Sequence, residues 1–554
     1  MLEPSVPIRS IRLLGDTPWS TASWSLNDHQ RLLAQLAKLK FNRVTIDVRS
    51  FQPFVDFEFK GTKKQGDSLW KGRYPIESET VGRDIFGNVT EFDNRDFQGK
   101  TAFADRIAEG RKLLQGILAA SKEFGIHATL SLDPLDVPIE FVNHLPDPRW
   151  PAEGANVSPS DPSLRVLASR QIEAYLETYA DLNGLSLRIE DVPAWRSREA
   201  EAARDLTKEF SLSPGLEKLM TAKDVASKDG PAIDSIPLGS LEFVTRLLRD
   251  EPLMRRLPAG VNHLHPFLLP WAGKLFPKGT ECMTYVVHDG RFMTDYRERL
   301  KTGANDANLY SLAIPLDVLP AVGMPQFQGN MLSEQMETLR LLRWQGFETS
   351  GWLSNDQDAF VYYLSRAAFE NALSPRDAIK QLYGPIGGEP AAERMRLAYS
   401  KLEAASKLMD PREFTLASPD DWMKHFTAGT APPDAWKEVA KHYGDAMNEM
   451  YRANDAFTPS QRQVVYFFAK RLEYALELVG SMTALREAGV AWRAKDKELA
   501  SEKLATAVEA MYNGLTAYAL IAKTASDRGA IAVLNEWVYK PMVEQLAKVD
   551  EASE

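Results

Sequence analysis

Cysteine is almost absent. Among 554 residues there is one, Cys282, which excludes an internal disulfide framework and a cysteine-rich zinc site while leaving the compartment open. No stretch of about 18 apolar residues occurs, and the opening MLEPSVPIRS lacks the apolar segment of a signal peptide, so no membrane span is expected. Long runs of lysine or arginine are missing too. With 66 basic and 76 acidic residues the formal net charge is -10, and nucleic acid is not an expected partner. Neither a glycine-rich phosphate loop nor a G-x-S-x-G nucleophile turn occurs, and no cofactor is expected.

What is present is a globular composition, 44% hydrophobic and 26% charged. The chain is too long for one core, since single cores stop growing near roughly 250–300 residues, so two or three domains are expected. From the start to about Asn371, short β-like runs alternate with amphipathic helical ones. The strand candidates are IRLLG (Ile11 to Gly15), RVTIDV (Arg43 to Val48), HATLSLD (His127 to Asp133), LSLRIE (Leu185 to Glu190), VNHLHPF (Val261 to Phe267), MTYVVHD (Met283 to Asp289), LYSLAIPLD (Leu309 to Asp317) and ETSGWLSN (Glu348 to Asn355). Helical patterns with leucines at three- and four-residue spacing sit between them, SLNDHQRLLAQLAKLK opening with a capping signal. Eight βα units predict an α/β fold, a (β/α)8 TIM barrel, over residues 1–373. From about Ser374 strand signals vanish and long amphipathic runs predict an all-α helical bundle over 374–554.

Active sites of such barrels form at the C-terminal ends of the strands, and here those ends are polar. Asp47 and Arg49 follow the second strand, Asp133 ends the third, Glu190 and Asp191 end the fourth, and His263 and His265 lie on the fifth. His288 and Asp289 end the sixth, Asp317 the seventh, and Trp352 and Asn355 the eighth. Strand alternation places Val44, Ile46 and Val48 on one face and Thr45, Asp47 and Arg49 on the other. On the same logic Asp133 and Glu190 face the barrel axis, with Arg188 one pleat deeper on the face of Glu190. Asp47, Asp133, His265, His288, Asp289, Asp317 and Asn355 are therefore expected to ring one pocket with Glu190.

Converging acids suit glycoside cleavage, in which one carboxyl group gives a proton to the leaving oxygen and another stabilises or attacks the developing cation. Glu190 is expected to be the acid, its proton affinity raised by the adjoining Asp191 and lowered by Arg188. Asp133, Asp289 or Asp317 is the alternative second carboxylate. The competing use of His263, His265, His288 and Asp289 is a mononuclear metal site, although no third ligand is spaced to complete one; histidines bonding sugar hydroxyls are the preferred reading and no metal is assigned. Trp19, Trp24, Trp195, Trp271, Tyr285 and Trp352 are candidate platforms for a pyranose face.

The phrases WSLNDHQRLLAQLAKLKFNRVTIDV, YPIESETVGRDIFG, SPSDPSLRVLASRQIEAYLETYADLNGLSLRIED and DAFVYYLSRAAFENALSPRDAIKQLYG resemble the catalytic barrels of the β-N-acetylhexosaminidase and α-glucuronidase-like glycoside hydrolases. The resemblance covers about 370 residues. It implies a catalytic acid at the end of the fourth strand, which maps onto Glu190. Hexosaminidases carry Asp then Glu there, whereas this chain carries Glu190 then Asp191. The reversed order leaves a uronic acid or neutral sugar open, with Arg49 and Arg188 as candidate partners for a substrate carboxylate. The resemblance thus implies a hydrolase releasing a terminal sugar, of uronic acid or N-acetylhexosamine type, from an oligo- or polysaccharide. A carbohydrate-binding barrel without catalysis is the alternative. The β-rich domain that often precedes such barrels is not in the sequence, and the first strand starts close to Met1. A chain trimmed of a leader or upstream domain, periplasmic or secreted, is therefore expected beside the cytoplasmic alternative.

Overall fold

The structure, a computed structural model, describes residues 3–212, 236–285, 309–315, 323–350, 357–410 and 413–552. Eight parallel strands close into a barrel in sequential order: β1 Ile8–Leu14, β2 Arg43–Val48, β3 His127–Leu132, β4 Gly184–Arg188, β5 Ala259–Leu264, β6 Glu281–Tyr285, β7 Leu309–Pro315 and β8 Gly346–Ser350, with β8 returning to pair β1. The (β/α)8 fold with a helical region after it is what the sequence predicted, down to the bounds of β2. Expected ends of β3 at Asp133 and of β4 at Glu190 ran past the observed Leu132 and Arg188, because alternation continues briefly in an extended loop.

Helices α1 Leu26–Lys38, α2 Phe103–Glu123, α3 Pro162–Thr178, α4 Glu199–Phe210, α5 Leu238–Asp250, α6 Gly329–Leu342 and α7 Asp358–Ala367 surround the barrel. The cap read from SLND is present: the Ser25 hydroxyl accepts from the Asp28 amide and Asp28 returns to the Ser25 amide. Facing these helices, Val44, Ile46, Val48, Ala128, Leu130, Leu132 and Leu187 are nearly fully buried. The inner layers differ from the usual branched aliphatic filling. They hold Ser10, Thr45, Ser131, Ser186, Asn262 and Ser311, all buried, and bonds such as Ser10 Oγ to Thr45 Oγ1 at 3.1 Å and Asn262 Nδ2 to Ser131 Oγ at 2.8 Å link them across strands. This polar interior carries charge up to the mouth.

Beyond β8 the described residues are helical: α8 Pro375–Leu408, broken at Gly388, then α9 Asp420–Ala428, α10 Ala435–Ala453, α11 Arg462–Arg493, α12 Lys497–Ala519, α13 Ala525–Leu534 and α14 Lys540–Glu551. These helices press on the loops at the barrel mouth. Asn535 bonds both the amide and the carbonyl of Val81, at 2.8 and 3.1 Å, and Trp24 Nε1 donates to Ser526 Oγ at 2.5 Å. At Gly529 any Cβ would lie 1.9 Å from the Pro18 carbonyl, so the approach demands glycine. Among the described residues no helix is long and apolar enough to cross a membrane.

Candidate active site

A line of alternating charge runs through the barrel interior up to its mouth. Glu348 on β8 takes Arg12 of β1, Oε1 to Nη2 at 2.6 Å and to Nε at 2.8 Å. Arg12 Nη1 faces Asp47 Oδ2 at 3.8 Å. Asp47 Oδ1 pairs with Arg188 Nη1 of β4 at 2.9 Å. Arg188 Nε then approaches Glu190 Oε1 at 3.6 Å, and His263 Nδ1 donates to the same oxygen at 3.2 Å. Arg188, Glu348 and Asp47 are buried; the Glu190 side chain keeps 33% of its exposure. The charged floor thus ends in one carboxylate that solvent and a ligand can reach.

Local backbone sets that carboxylate. After β4 ends, the Ile189 amide still bonds the Asn262 carbonyl at 3.1 Å, and the Ser240 hydroxyl from α5 donates to the Glu190 carbonyl at 2.6 Å. On the adjacent strand, β5 bulges between Val261 and Leu264, and His263 takes φ 58°, a left-handed conformation in a side-chain-bearing residue. Such a backbone is strained by roughly 1–3 kcal/mol. The bulge breaks strand alternation and leaves His263 on Glu190.

The electrostatics separate two acids. Burial pushes the Glu190 pKa up, but the His263 hydrogen bond and the charges of His263, Arg49 and Arg12 outweigh it, so the carboxyl titrates below the usual glutamate value. Asp133, at the end of β3, is pushed up to about 8 by burial first, then by Asp136 and Glu190; the Leu135 amide, donating at 2.8 Å, and Arg49 offset only part of this. At neutral pH Glu190 is charged and Asp133 holds a proton. The sequence set Asp191, raising the proton affinity of Glu190, against Arg188, lowering it; in the fold the lowering influences win.

Sequence-predicted positions divide accordingly. Asp47, Arg49, Asp133, Arg188, Glu190 and His263 belong to one electrostatic cluster. Asp191 does not: the strand has ended, and its exposed carboxylate turns to Arg196, Oδ2 to Nε at 2.8 Å. His265 is buried, its pKa lowered to about 4 by burial, with Tyr285 edge-on at 6.0 Å. Arg188 and Arg49, expected to bind a substrate carboxylate, meet carboxylates of the chain itself, Asp47 and Asp16, the latter at 2.9 Å. Trp24 and Trp195 are core residues, the latter donating to the Val157 carbonyl at 2.7 Å, and Trp19 packs edge-on against Trp537 at 6.1 Å. Trp271 is half-buried. His288, Asp289, Asp317, Trp352 and Asn355 lie outside the described residues.

Sequence reasoning missed Arg12, Glu348, Asp16 and Asp136. Alternation on β1, with Ile11 and Leu13 buried outward, would have found Arg12. Glu348 was placed at the start of its strand, yet β8 begins at Gly346 and sets Glu348 inward beside Ser10 of β1. Asp136 sits in the loop after β3 and accepts the Ser50 amide at 2.8 Å, tying that loop to the one after β2.

No protein-family profile matches the chain, and no curated protein matches it in sequence. Solved structures do match in fold. A Clostridium perfringens GH89 enzyme, captured with GlcNAc-alpha-1,4-galactose, aligns with a TM-score of 0.50 at 11% identity over 99% of this chain and 64% of its own. A GH138 enzyme targeting pectin rhamnogalacturonan II gives 0.49 at 12% identity over 94% of this chain and 62% of its own. Thermobaculum terrenum O-GlcNAc hydrolase gives 0.42 at 11% identity, over 99% and 96%. The chain therefore spans less than two thirds of the first two. At such identities the GH89 match shows the fold alone, and at that level the resemblance read from the sequence holds.

Proposed function

We propose that this chain is a glycoside hydrolase releasing a terminal sugar of N-acetylhexosamine or uronic acid type from an oligo- or polysaccharide. One observation carries the reading: Glu190, half-exposed at the barrel mouth, is held by His263 and Arg188 above the buried pairs of Asp47, Arg12 and Glu348, with a second carboxyl group, Asp133, in electrostatic reach. A charged carboxylate and a protonated one, kept apart in pKa by their surroundings, are the two groups that glycosidic cleavage requires. The Glu190 carboxylate, held in place by the cations around it, meets a developing oxocarbenium ion with little reorganisation. N-acetylhexosaminides are expected ahead of uronides, because a uronate would compete with Asp47 and Asp16 for Arg188 and Arg49.

The test is turnover of aryl glycosides of N-acetylhexosamines, uronic acids and neutral hexoses by the purified chain, with and without a chelator. Hydrolysis of at least one class, reduced about 10³-fold or more in Glu190→Ala, is expected. Saturable sugar binding without turnover would make the chain a binding barrel, and activity lost on chelation would move the chemistry to a metal.

A further inference from the structure

We propose that Glu199 is a positioning residue for Glu190: from α4 it caps the first turn of α5, and that turn holds the Glu190 backbone. The inference rests on the glycosidase reading, in which Glu190 is the accessible carboxylate, and adds to it a residue that acts through another element. Its ground is a chain of contacts between two helices and the loop after β4.

The first amides of a helix have no partner within it and need an acceptor from elsewhere. In α5 the N-cap position is Pro237, which offers no side-chain acceptor, and the first turn carries no acid. Glu199, the first residue of α4 and only 8% exposed, supplies the acceptor. Its Oε2 accepts from the Leu238 amide at 2.6 Å and from the Gly239 amide at 3.1 Å, at the positive end of the α5 dipole. The next residue is Ser240, which is buried, and its hydroxyl donates to the Glu190 carbonyl at 2.6 Å. Gly239 lies so close to Trp195 that a Cβ there would stand 2.8 Å from the ring, and Trp195 is fixed in turn by its bond to the Val157 carbonyl at 2.7 Å.

The first turn of α5 thus touches the loop after β4 at two points, Ser240 at Glu190 and Gly239 at Trp195. Beyond that carbonyl, the Glu190 carboxylate meets His263 Nδ1 at 3.2 Å and Arg188 Nε at 3.6 Å, and both distances change if its backbone shifts. Without Glu199 two buried amides lose their acceptor, and the turn gains by moving toward another one. Ser240 moves with it. A reacting group displaced by about 1 Å can cost on the order of 10²-fold in rate, and such a loss falls on kcat rather than on KM.

Two readouts test this. In kinetics on an aryl glycoside that the wild type cleaves, Glu199→Leu is expected to lose about 10-fold or more in kcat per folded molecule with KM within about 3-fold. Glu199→Gln keeps an acceptor oxygen for the two amides and is expected to restore most of kcat. Ser240→Ala is expected to lose as Glu199→Leu does, and the double variant no more than the worse single one, since both act along one path. A cap that only stabilised α5 would leave kcat unchanged in Glu199→Leu; that result, a loss in Glu199→Gln equal to that in Glu199→Leu, or multiplying losses in the double variant overturns the proposal. Should Glu199→Leu fail to fold, Glu199→Asp, one methylene too short to reach both amides, is expected to show the same loss, and wild-type kcat in it overturns the proposal. The second readout needs no substrate: the imidazole 15N signal of His263, assigned by its absence in His263→Gln, is expected to move in Glu199→Leu and in Ser240→Ala and to stay in Glu199→Gln. An unmoved signal in Glu199→Leu overturns the positioning role. A wild-type chain that cleaves no glycoside overturns the hydrolase reading instead, while the His263 signal still decides whether Glu199 positions Glu190.

Discussion

Two arginines, Arg188 in the barrel and Arg471 in the helical region, are equally buried, each 1% exposed. Arg471 sits 4.4 Å over the ring of Tyr518 and 5.8 Å over that of Tyr474, and its Nη2 donates to the Gly323 carbonyl. Arg188 pairs with Asp47 and reaches Glu190. The first cation is held by π faces and backbone, and it joins the helical region to the segment between β7 and α6. The second is held by carboxylates from another strand and its own, in a line that ends at an accessible group. Equal burial therefore marks different work, and partner chemistry tells the two apart.

The largest effect expected is from Arg188→Met. Removing one partner leaves Asp47 buried beside a weakened set of charges, a loss of roughly 3–5 kcal/mol by denaturant unfolding, and turnover falls about 10²-fold or more. Arg471→Met is expected to lose about 2 kcal/mol, from the ring contacts and a carbonyl left without its donor, with turnover per folded molecule unchanged. Equal damage to turnover in both variants would erase the distinction.

Arg12→Met and Glu348→Gln sharpen it within the barrel. Each alone should cost about 3 kcal/mol, and the double variant less than the sum by about 1–2 kcal/mol, since the orphaned partner is removed too. Arg12→Met should also move the acidic limb of the pH-rate profile upward, because a cation that lowers the Glu190 pKa is gone. Strict additivity, or an unmoved limb, would show that the line of charge is not coupled.

The pH dependence of stability has opposite signs in the two regions. Asp133, raised to about 8 in the fold, binds a proton that the unfolded chain has released, so its contribution is lost as pH rises from about 4 through 8. Asp133→Asn should therefore gain on wild type over that range. His425, buried between Trp422 and Trp436 and accepting from Arg486 Nε at 3.2 Å, is lowered to about 4, by burial first and then by the Arg486 charge. It stays neutral where the unfolded chain is protonated, so stability is lost as pH falls from about 6.5 toward 4, on the order of 3 kcal/mol. His425→Gln should flatten that acid limb. Thermal unfolding followed across pH checks both signs.

The smallest effect is expected from Asp191→Ala. Its exposed pair with Arg196 contributes less than about 1 kcal/mol, and turnover should change by no more than a few-fold. A loss comparable to that of Glu190→Ala would restore Asp191 to the site.

Much of the barrel and part of the site were legible because strand alternation is a local rule. Val44, Ile46 and Val48 against Thr45 and Asp47 needed no partner to be interpreted, and the same rule sent Arg188 inward. It failed where the backbone departs from alternation. The bulge that brings His263 to Glu190 was not visible in VNHLHPF, and the turn that sends Asp191 to Arg196 begins where Pro193 ends the extended run. Trp24 and Trp195 looked like sugar platforms because an indole at a strand end reads alike whether a sugar or Ser526 and Val157 meets it.

The amino-acid sequence by itself determined the eight βα units, the helical region after them and the gathering of acids at the strand ends, because hydrophobic period and caps act within one element. Only the tertiary structure decided which acid carries charge. Burial beside Asp136 holds a proton on Asp133, while His263, Arg12 and Arg49 hold Glu190 ionised, and those neighbours come from β1, β2 and β5, hundreds of residues apart in part. A pKa depends on distance and solvent access, and neither exists until the barrel closes.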